Sequence, residues 1–230
     1  VYALVRENHY DQVPINEMVR IVPFSLENIE ALGEVIPINE YEAFYHFAWN
    51  GSAGVDRADT ALQLKNAQWT VECLQMAKRL GCKRFVPAGS IMEHETIAAV
   101  YTQGNRPGAG YIYGSGKVAA HMMCMSMAVK EGINLVWPKI TNAYGPSERS
   151  PRLVNSTIRK CIAGEDPQFT AGTQNYDFVY IDDVARAFRL IGEKGKPFHH
   201  YLIGSGKAKA LKEFLLEMRA AIAPDLEFKF

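Results

Sequence analysis

Tyr113-Gly114-Ser115-Gly116-Lys117 places a phenol and an ammonium four residues apart. At the start of a helix, positions i and i+4 share one face. A free tyrosine titrates near ~10 and is a poor base at neutral pH. A cation alongside favours the phenolate and pulls that value down. Such a pair can move a proton to or from a carbinol oxygen while a hydride moves at the carbon. The spacing alone decides little, because a chain with 11 tyrosines meets it by chance as a surface Tyr and Lys on a helix. Context adds weight. Ser90 follows a short apolar run, residues 84–88, where ligands sit in open parallel sheets. Asn142 follows the next such run. Polar groups at successive strand ends and helix starts are what a site assembled across a parallel sheet requires.

The elements that must position these groups can be read from hydrophobic period. Residues 1–5, 19–23, 42–48, 84–88, 134–137, 178–181 and 201–203 read as strands. Residues 57–80 read as a long helix, with Leu62, Asn66, Trp69, Cys73, Met76 and Leu80 on one stripe and Gly81 as its stop. Further helices are expected at 111–130, 153–163, 182–191 and 210–221. Strands alternating with helices of this length imply an α/β fold, a doubly wound parallel sheet with helices on both faces.

Composition removes several function classes. The 230 residues carry 25 basic and 25 acidic side chains, so no basic excess is present to neutralise phosphates, and no nucleic-acid partner is expected. No run reaches the ~18 apolar residues of a membrane span. Cys73, Cys82, Cys124 and Cys161 are scattered without a CxxC pair, which argues against a zinc site and a disulfide scaffold. Glu93-His94-Glu95 and His199-His200 have ligand chemistry but no second ligand at helical spacing, so no metal is expected. With no basic segment followed by an apolar run at the N-terminus, a cytoplasmic location is expected. Gly114-Ser115-Gly116-Lys117 and Gly204-Ser205-Gly206-Lys207 mimic a P-loop. Tyr111 and Val118, and Tyr201 and Ala208, stand where that motif needs its first Gly and its Ser or Thr. Gly108-Ala109-Gly110 lacks the third glycine of a dinucleotide fingerprint and reads as a loop. Met122, Met123, Met125 and Met127 read as core and interface packing.

Six stretches carry a family likeness: Tyr45-His46-Phe47-Ala48, residues 66–70, residues 84–90, the Tyr113/Lys117 pair, Asn142-Ala143-Tyr144-Gly145-Pro146 and residues 172–185. Through them, and over nearly its whole length, the chain resembles the extended short-chain dehydrogenase/reductases of the NAD-dependent epimerase/dehydratase group, which act on nucleotide sugars. The resemblance implies a Rossmann-like dinucleotide-binding domain at 1–145. Residues 146–230 would be mainly a small substrate lobe, with some segments returning to the main domain. It makes Tyr113 the acid/base, with Lys117 lowering its pKa and holding the nicotinamide ribose. Ser90 would hydrogen-bond the sugar oxygen at the reacting carbon. Phe47, Ala48, Trp49 and Ile140 would line the cofactor cleft with Asn66 nearby, and Asn142 would meet the sugar diphosphate. Asp182 and Asp183 would cap a helix near the lobe. A homodimer is implied, pairing helices 57–80 and 111–130 across a two-fold axis with Met122–Met127 at the interface.

Departures sharpen the reading. The family's glycine-rich phosphate loop belongs to a first strand-turn-helix, and this chain starts at the second strand. A fragment is expected, preceded by roughly 25–30 residues and binding cofactor poorly as it stands. Ile91 and Met92 stand where many dehydratases carry Asp and Glu, which disfavours 4,6-dehydration. Tyr176 replaces an Arg common before the Asp-Phe-Val-Tyr string, leaving Arg149 or Arg152 as the diphosphate cation. Arg6 rather than an acid ends the second strand, which favours the 2′-phosphate of NADP(H), while Glu7 keeps NAD(H) open. The expected activity is NADPH-dependent reduction of a nucleotide-activated 4-keto sugar. The alternatives are a 4-epimerase with tightly held NAD and a non-catalytic dinucleotide-binding protein.

Overall fold

Short apolar runs in this chain become parallel strands, each followed by a segment that crosses back over the sheet. The computed structural model describes residues 1–148 and 150–230. β1 (Tyr2–Val5) pairs in parallel with β2 (Arg20–Pro23), Tyr2 opposite Arg20 and Val5 opposite Pro23. A one-turn helix, α1 (Leu32–Val35), precedes β3 (Phe44–His46) and the long α2 (Thr60–Arg79). Then come β4 (Arg84–Pro87), β5 (Gly89–Ser90), α3 (Met92–Tyr101), α4 (Tyr111–Glu131), β6 (Asn134–Leu135) and β7 (Trp137–Ile140). The remainder comprises β8 (Asn142–Tyr144), α5 (Leu153–Ile162), β9 (Asn175–Tyr176), β10 (Phe178–Tyr180), α6 (Ile181–Lys194), β11 (His200–Ile203), β12 (Lys209–Ala210) and α7 (Leu211–Ile222).

Two parallel ladders, ordered β3-β4-β6 and β11-β7-β5, are successive lengths of one sheet. β5 continues β4 past Ala88, β7 continues β6 past Val136, and the Val136 N–H donates to the Phe85 carbonyl at 3.1 Å. Side-chain alternation then sorts the core. Phe85 and Leu135 pack with Cys73, Leu74 and Ala77 of α2 and with Ala120, Cys124 and Ala128 of α4. Val86 and Val136 pack the other way, with Val184, Phe188 and Ile191 of α6. The sheet is therefore covered on both faces, as near-continuous apolar strands require. A third cluster joins Leu211, Leu215 and Phe228 to Leu153, Tyr176 and Phe178. Among the described residues no helix is long and apolar enough to cross a membrane.

The two glycines between Tyr113 and Lys117 have a packing explanation. A Cβ on Gly114 would strike the Thr96 hydroxyl of α3 and lie 3.0 Å from the Met92 carbonyl. One on Gly116 would lie 2.9 Å from the Gln63 carbonyl of α2. The missing side chains let α4 approach both neighbours.

Several expectations are corrected. α2 begins at Thr60, not at 57, because the Asp59 side chain accepts from the Leu62 N–H at 3.0 Å; residues 55–58 form a separate 3-10 turn. Asp182 and Asp183 lie in the first turn of α6, where they face its positive end, and Tyr180 holds the cap position. α3 was not expected at all. It buries Glu93 and Thr96 and exposes Ile97, Val100 and Tyr101, the reverse of an amphipathic pattern. Met122, Met123 and Met125 are exposed, and only Met127 packs on the core.

Among the described residues β1 has β2 as its one paired neighbour, and β3 has β4. A groove of about 850 Å³, lined by Tyr2 and Leu4 on one side and Phe44 and Tyr45 on the other, lies between their open edges.

Helix propensity alone makes Gly116→Ala stabilising by about 1 kcal/mol. The contact with Gln63 reverses the sign, and a loss of about 1–3 kcal/mol is expected for an overpacked helix contact. Urea unfolding of the two proteins decides between them.

Candidate active site

A cavity of about 760 Å³ opens where the ends of β5 and β7 meet the first turn of α4, with β8 and the start of α5 opposite. Of the residues singled out in the sequence, Phe47, Trp49, Ser90, Tyr113, Lys117, Ile140, Asn142 and Arg152 line it. The strand ends supply Ser90, Ile140 and Asn142. The first two turns of α4 place Tyr113 and Lys117 one above the other on the inner wall.

Lys117 is 5% exposed. Its Nζ donates to the Ala88 carbonyl at 2.8 Å and sits 3.6 Å from the centroid of the Trp49 ring. Burial pulls the ammonium down to about 7. Burial and the Lys117 charge likewise depress neighbouring His46, to about 3. Tyr113 is 8% exposed, and burial raises it above its ordinary value. Three groups oppose that rise: first the facing Ser90 hydroxyl, then the charges of Arg57 and Arg152. The expected lowering of Tyr113 by Lys117 is thus corrected. Lys117 Nζ lies 5.8 Å from the Tyr113 ring and is engaged elsewhere, whereas the Arg57 guanidinium lies 4.3 Å over that ring.

Arg57 went unrecognised in the sequence because it fell at the start of an expected helix. The 3-10 turn aims it into the cavity instead, with Nη1 donating to the Ser52 carbonyl at 3.1 Å. The turn is held by α2. Gln63, 1% exposed, accepts from the Trp49 indole N–H at 2.8 Å and donates to the Gly51 and Asp56 carbonyls. Asn66 is buried beside it and does not line the cavity. It accepts from the Asn50 N–H at 2.9 Å and donates to the Asn50 carbonyl at 2.8 Å.

Other named residues lie elsewhere. Ala48 lines the groove beside β1, and Arg6 is exposed past the end of β1, its guanidinium 3.1 Å from His9 Nε2. Arg149 lies outside the described residues. Ile91 and Met92 both line the cavity, and the carboxylates that reach it are Glu95 and Glu148.

The model of the family described as "NAD dependent epimerase/dehydratase family" matches residues 1–204. The chain belongs to that family. This family member is 22% identical over 210 residues to dTDP-glucose 4,6-dehydratase of Mycobacterium tuberculosis, covering 89% of this chain and 62% of the relative. It is 34% identical over 77 residues to CDP-abequose synthase of Salmonella muenchen, covering 33% and 26%. The matched stretches thus span less than two thirds of these relatives' own length. Among solved structures, the UDP-N-acetylglucosamine 4-epimerase of Methanobrevibacter ruminantium superposes with a TM-score of 0.78 at 18% identity, covering 94% of this chain and 71% of that one. RMD of Pseudomonas aeruginosa, complexed with NADPH, gives 0.76 at 19% identity, covering 97% and 80%. These structures are Rossmann-fold proteins, and this family member shares their fold.

A Lys117 that releases its proton near 7 when folded and near ~10.4 when unfolded makes the unfolded chain bind more protons in between. Stability therefore rises with pH across that window, as the penalty of burying the charge is relieved. Lys117→Met should flatten the rise. Thermal melts of both proteins between about pH 6 and pH 10 test this, and parallel curves would refute it.

Proposed function

We propose that this chain moves the proton in a nicotinamide-dependent conversion of a nucleotide-activated sugar, most directly the reduction of a 4-keto sugar. One observation carries the reading. Tyr113 is buried on the cavity wall facing Ser90, with Arg57 over its ring and Lys117 one turn along. The relatives support the substrate class, since by name they act on or bind sugars linked to UDP, CDP or dTDP.

The residues present fit the nicotinamide end of a dinucleotide. Phe47, Trp49 and Ile140 offer a flat apolar wall, and Lys117 is the cation beside it. The dinucleotide supplies a hydride when bound. The protein's part is the proton. Tyr113 donates its phenolic hydrogen to the sugar carbonyl oxygen, and the Ser90 hydroxyl bonds that same oxygen. Arg57 offsets the negative charge left on Tyr113, which burial alone would disfavour. Asn142 and Arg152 line the opposite wall, and the reading assigns them the diphosphate. Arg6, one residue past β1, supports NADP(H) over NAD(H). Apolar Ile91 and Met92 in the two positions after Ser90 disfavour water loss, although Glu95 also lines the cavity. Residues 146–230 are read as mainly the substrate lobe, on the strength of their own apolar cluster, with α6 and β11 returning to the main sheet.

The full-length protein should consume NADPH stoichiometrically with a nucleotide-linked 4-keto-6-deoxy sugar. Tyr113→Phe should lower the rate about 10²–10⁴-fold. Interconversion of nucleotide hexoses without net cofactor turnover would instead establish the epimerase, which uses the same Ser90, Tyr113 and Lys117. Dinucleotide binding with neither activity would establish the non-catalytic reading.

A homodimer and a cytoplasmic location complete the proposal. Met122, Met123 and Val129 of α4 and Leu64 of α2 are exposed apolar side chains, and the α4 surface is read as the one that meets a second copy. All four cysteines are unbridged, as a reducing compartment permits. Met123→Glu should turn a dimer into a monomer by light scattering. A parent protein that is already monomeric sinks the dimer.

A further inference from the structure

α3 turns a carboxylate into the protein interior directly behind Ser90. Glu93 is 1% exposed. Its Oε1 accepts from the Ser90 backbone N–H at 2.9 Å and from the Trp137 indole N–H at 3.1 Å. Its Oε2 lies 2.9 Å from His121 Nδ1 and 3.5 Å from Lys139 Nζ. Burial pushes the carboxyl up, but the bonds from His121, Ser90 and Trp137 outweigh it and leave Glu93 below its ordinary value. The surroundings leave little slack. The His121 ring stacks on Trp137 with centroids 4.2 Å apart. A Cβ on Gly89 would meet the Trp137 indole nitrogen and lie 2.7 Å from Glu93 Oε1.

Such a network is a weak stabiliser, because well-packed apolar residues of the same volume often serve as well or better. What it supplies is a fixed place for the Ser90 amide. The Ser90 side chain follows: its Oγ accepts from the Met92 N–H at 3.2 Å and faces Tyr113. We propose that Glu93 is a positioning residue, whose buried carboxylate holds the Ser90 amide and so sets where the Ser90 hydroxyl meets the substrate oxygen beside Tyr113. This rests on the roles given above to Ser90 and Tyr113.

Two conservative variants separate reach from charge. Glu93→Asp keeps the charge but withdraws the acceptor from Ser90 by one methylene. Glu93→Gln keeps the reach and gives up the charge. The proposal expects Asp to lower kcat about 10- to 100-fold with KM little changed. Gln keeps an acceptor within reach of the Ser90 amide but gives up the charge facing His121 and Lys139, and should retain clearly more activity than Asp. On a Ser90→Ala background the Asp substitution should add little, since the two act through one hydroxyl. Asp as active as the parent, Gln no better than Asp, or equal losses on both backgrounds each overturn the proposal. A second readout needs no substrate. Hydrogen exchange at the Ser90 amide, followed by NMR in the unliganded protein, should be faster in Asp than in Gln or the parent, and equal rates reject the hold. If Ser90→Ala leaves turnover unchanged, the role of Ser90 is wrong, while the exchange rates still decide whether Glu93 fixes its amide.

Discussion

An ammonium ion taken out of water needs partners at fixed positions, and Lys117 finds them in two other elements. Its Nζ joins α4 to the carbonyl of Ala88 at the end of β4 and to the face of Trp49 in the loop after β3. That contact exists because Gly114 and Gly116 bring α4 against α3 and α2. Two glycines inside a helix weaken it locally, by about 1 kcal/mol each. In return, two successive turns of α4 reach the cavity wall, and Tyr113 and Lys117 arrive there together. Because the ammonium is committed to Ala88 and Trp49, the charge nearest the phenol ring among the described residues comes from Arg57, on a different segment.

Three buried polar side chains place the rest of the cavity by the same device. Gln63 holds the carbonyls of Gly51 and Asp56, Asn66 holds both backbone groups of Asn50, and Glu93 holds the amide of Ser90. Each stands on a helix and bonds backbone beside a cavity-lining residue. Loops fixed in this way inherit the rigidity of the helices beneath them. The residues that touch the cavity are only half of what makes it; the other half lies one layer below.

The sheet and its main helices were legible because strand and helix periods are written in apolar residues. Phe85 and Val86 declare a strand buried on both faces, and Gly132 closes α4 in a left-handed turn, φ 65°. The Tyr113/Lys117 pair and Ser90 were legible because strand ends and helix starts converge in a parallel sheet. α3 was not, since Glu93 and Thr96 point inward while Val100 and Tyr101 point out. An inward carboxylate reads as a solvated one until its partners, distant in sequence, are known. Arg57 was hidden by the cap at Asp59, which moved the helix start past it. The i, i+4 spacing puts Lys117 on the face of α4 that carries Tyr113, but nothing in a linear spacing shows that another carbonyl and another ring claim its charge.

The open edges of β1 and β3 have a consequence for the behaviour of this polypeptide in concentrated solution. Their backbone amides and carbonyls face a groove lined by Tyr2, Leu4 and Phe44, a template onto which any extended apolar chain can be added as a further strand. Natural sheets guard such edges with lysines, prolines or bulges, or with colloidal repulsion between like-charged molecules. A formal net charge of zero removes the last of these. Among the described residues this groove is where an added strand would meet both free backbone groups and an apolar lining.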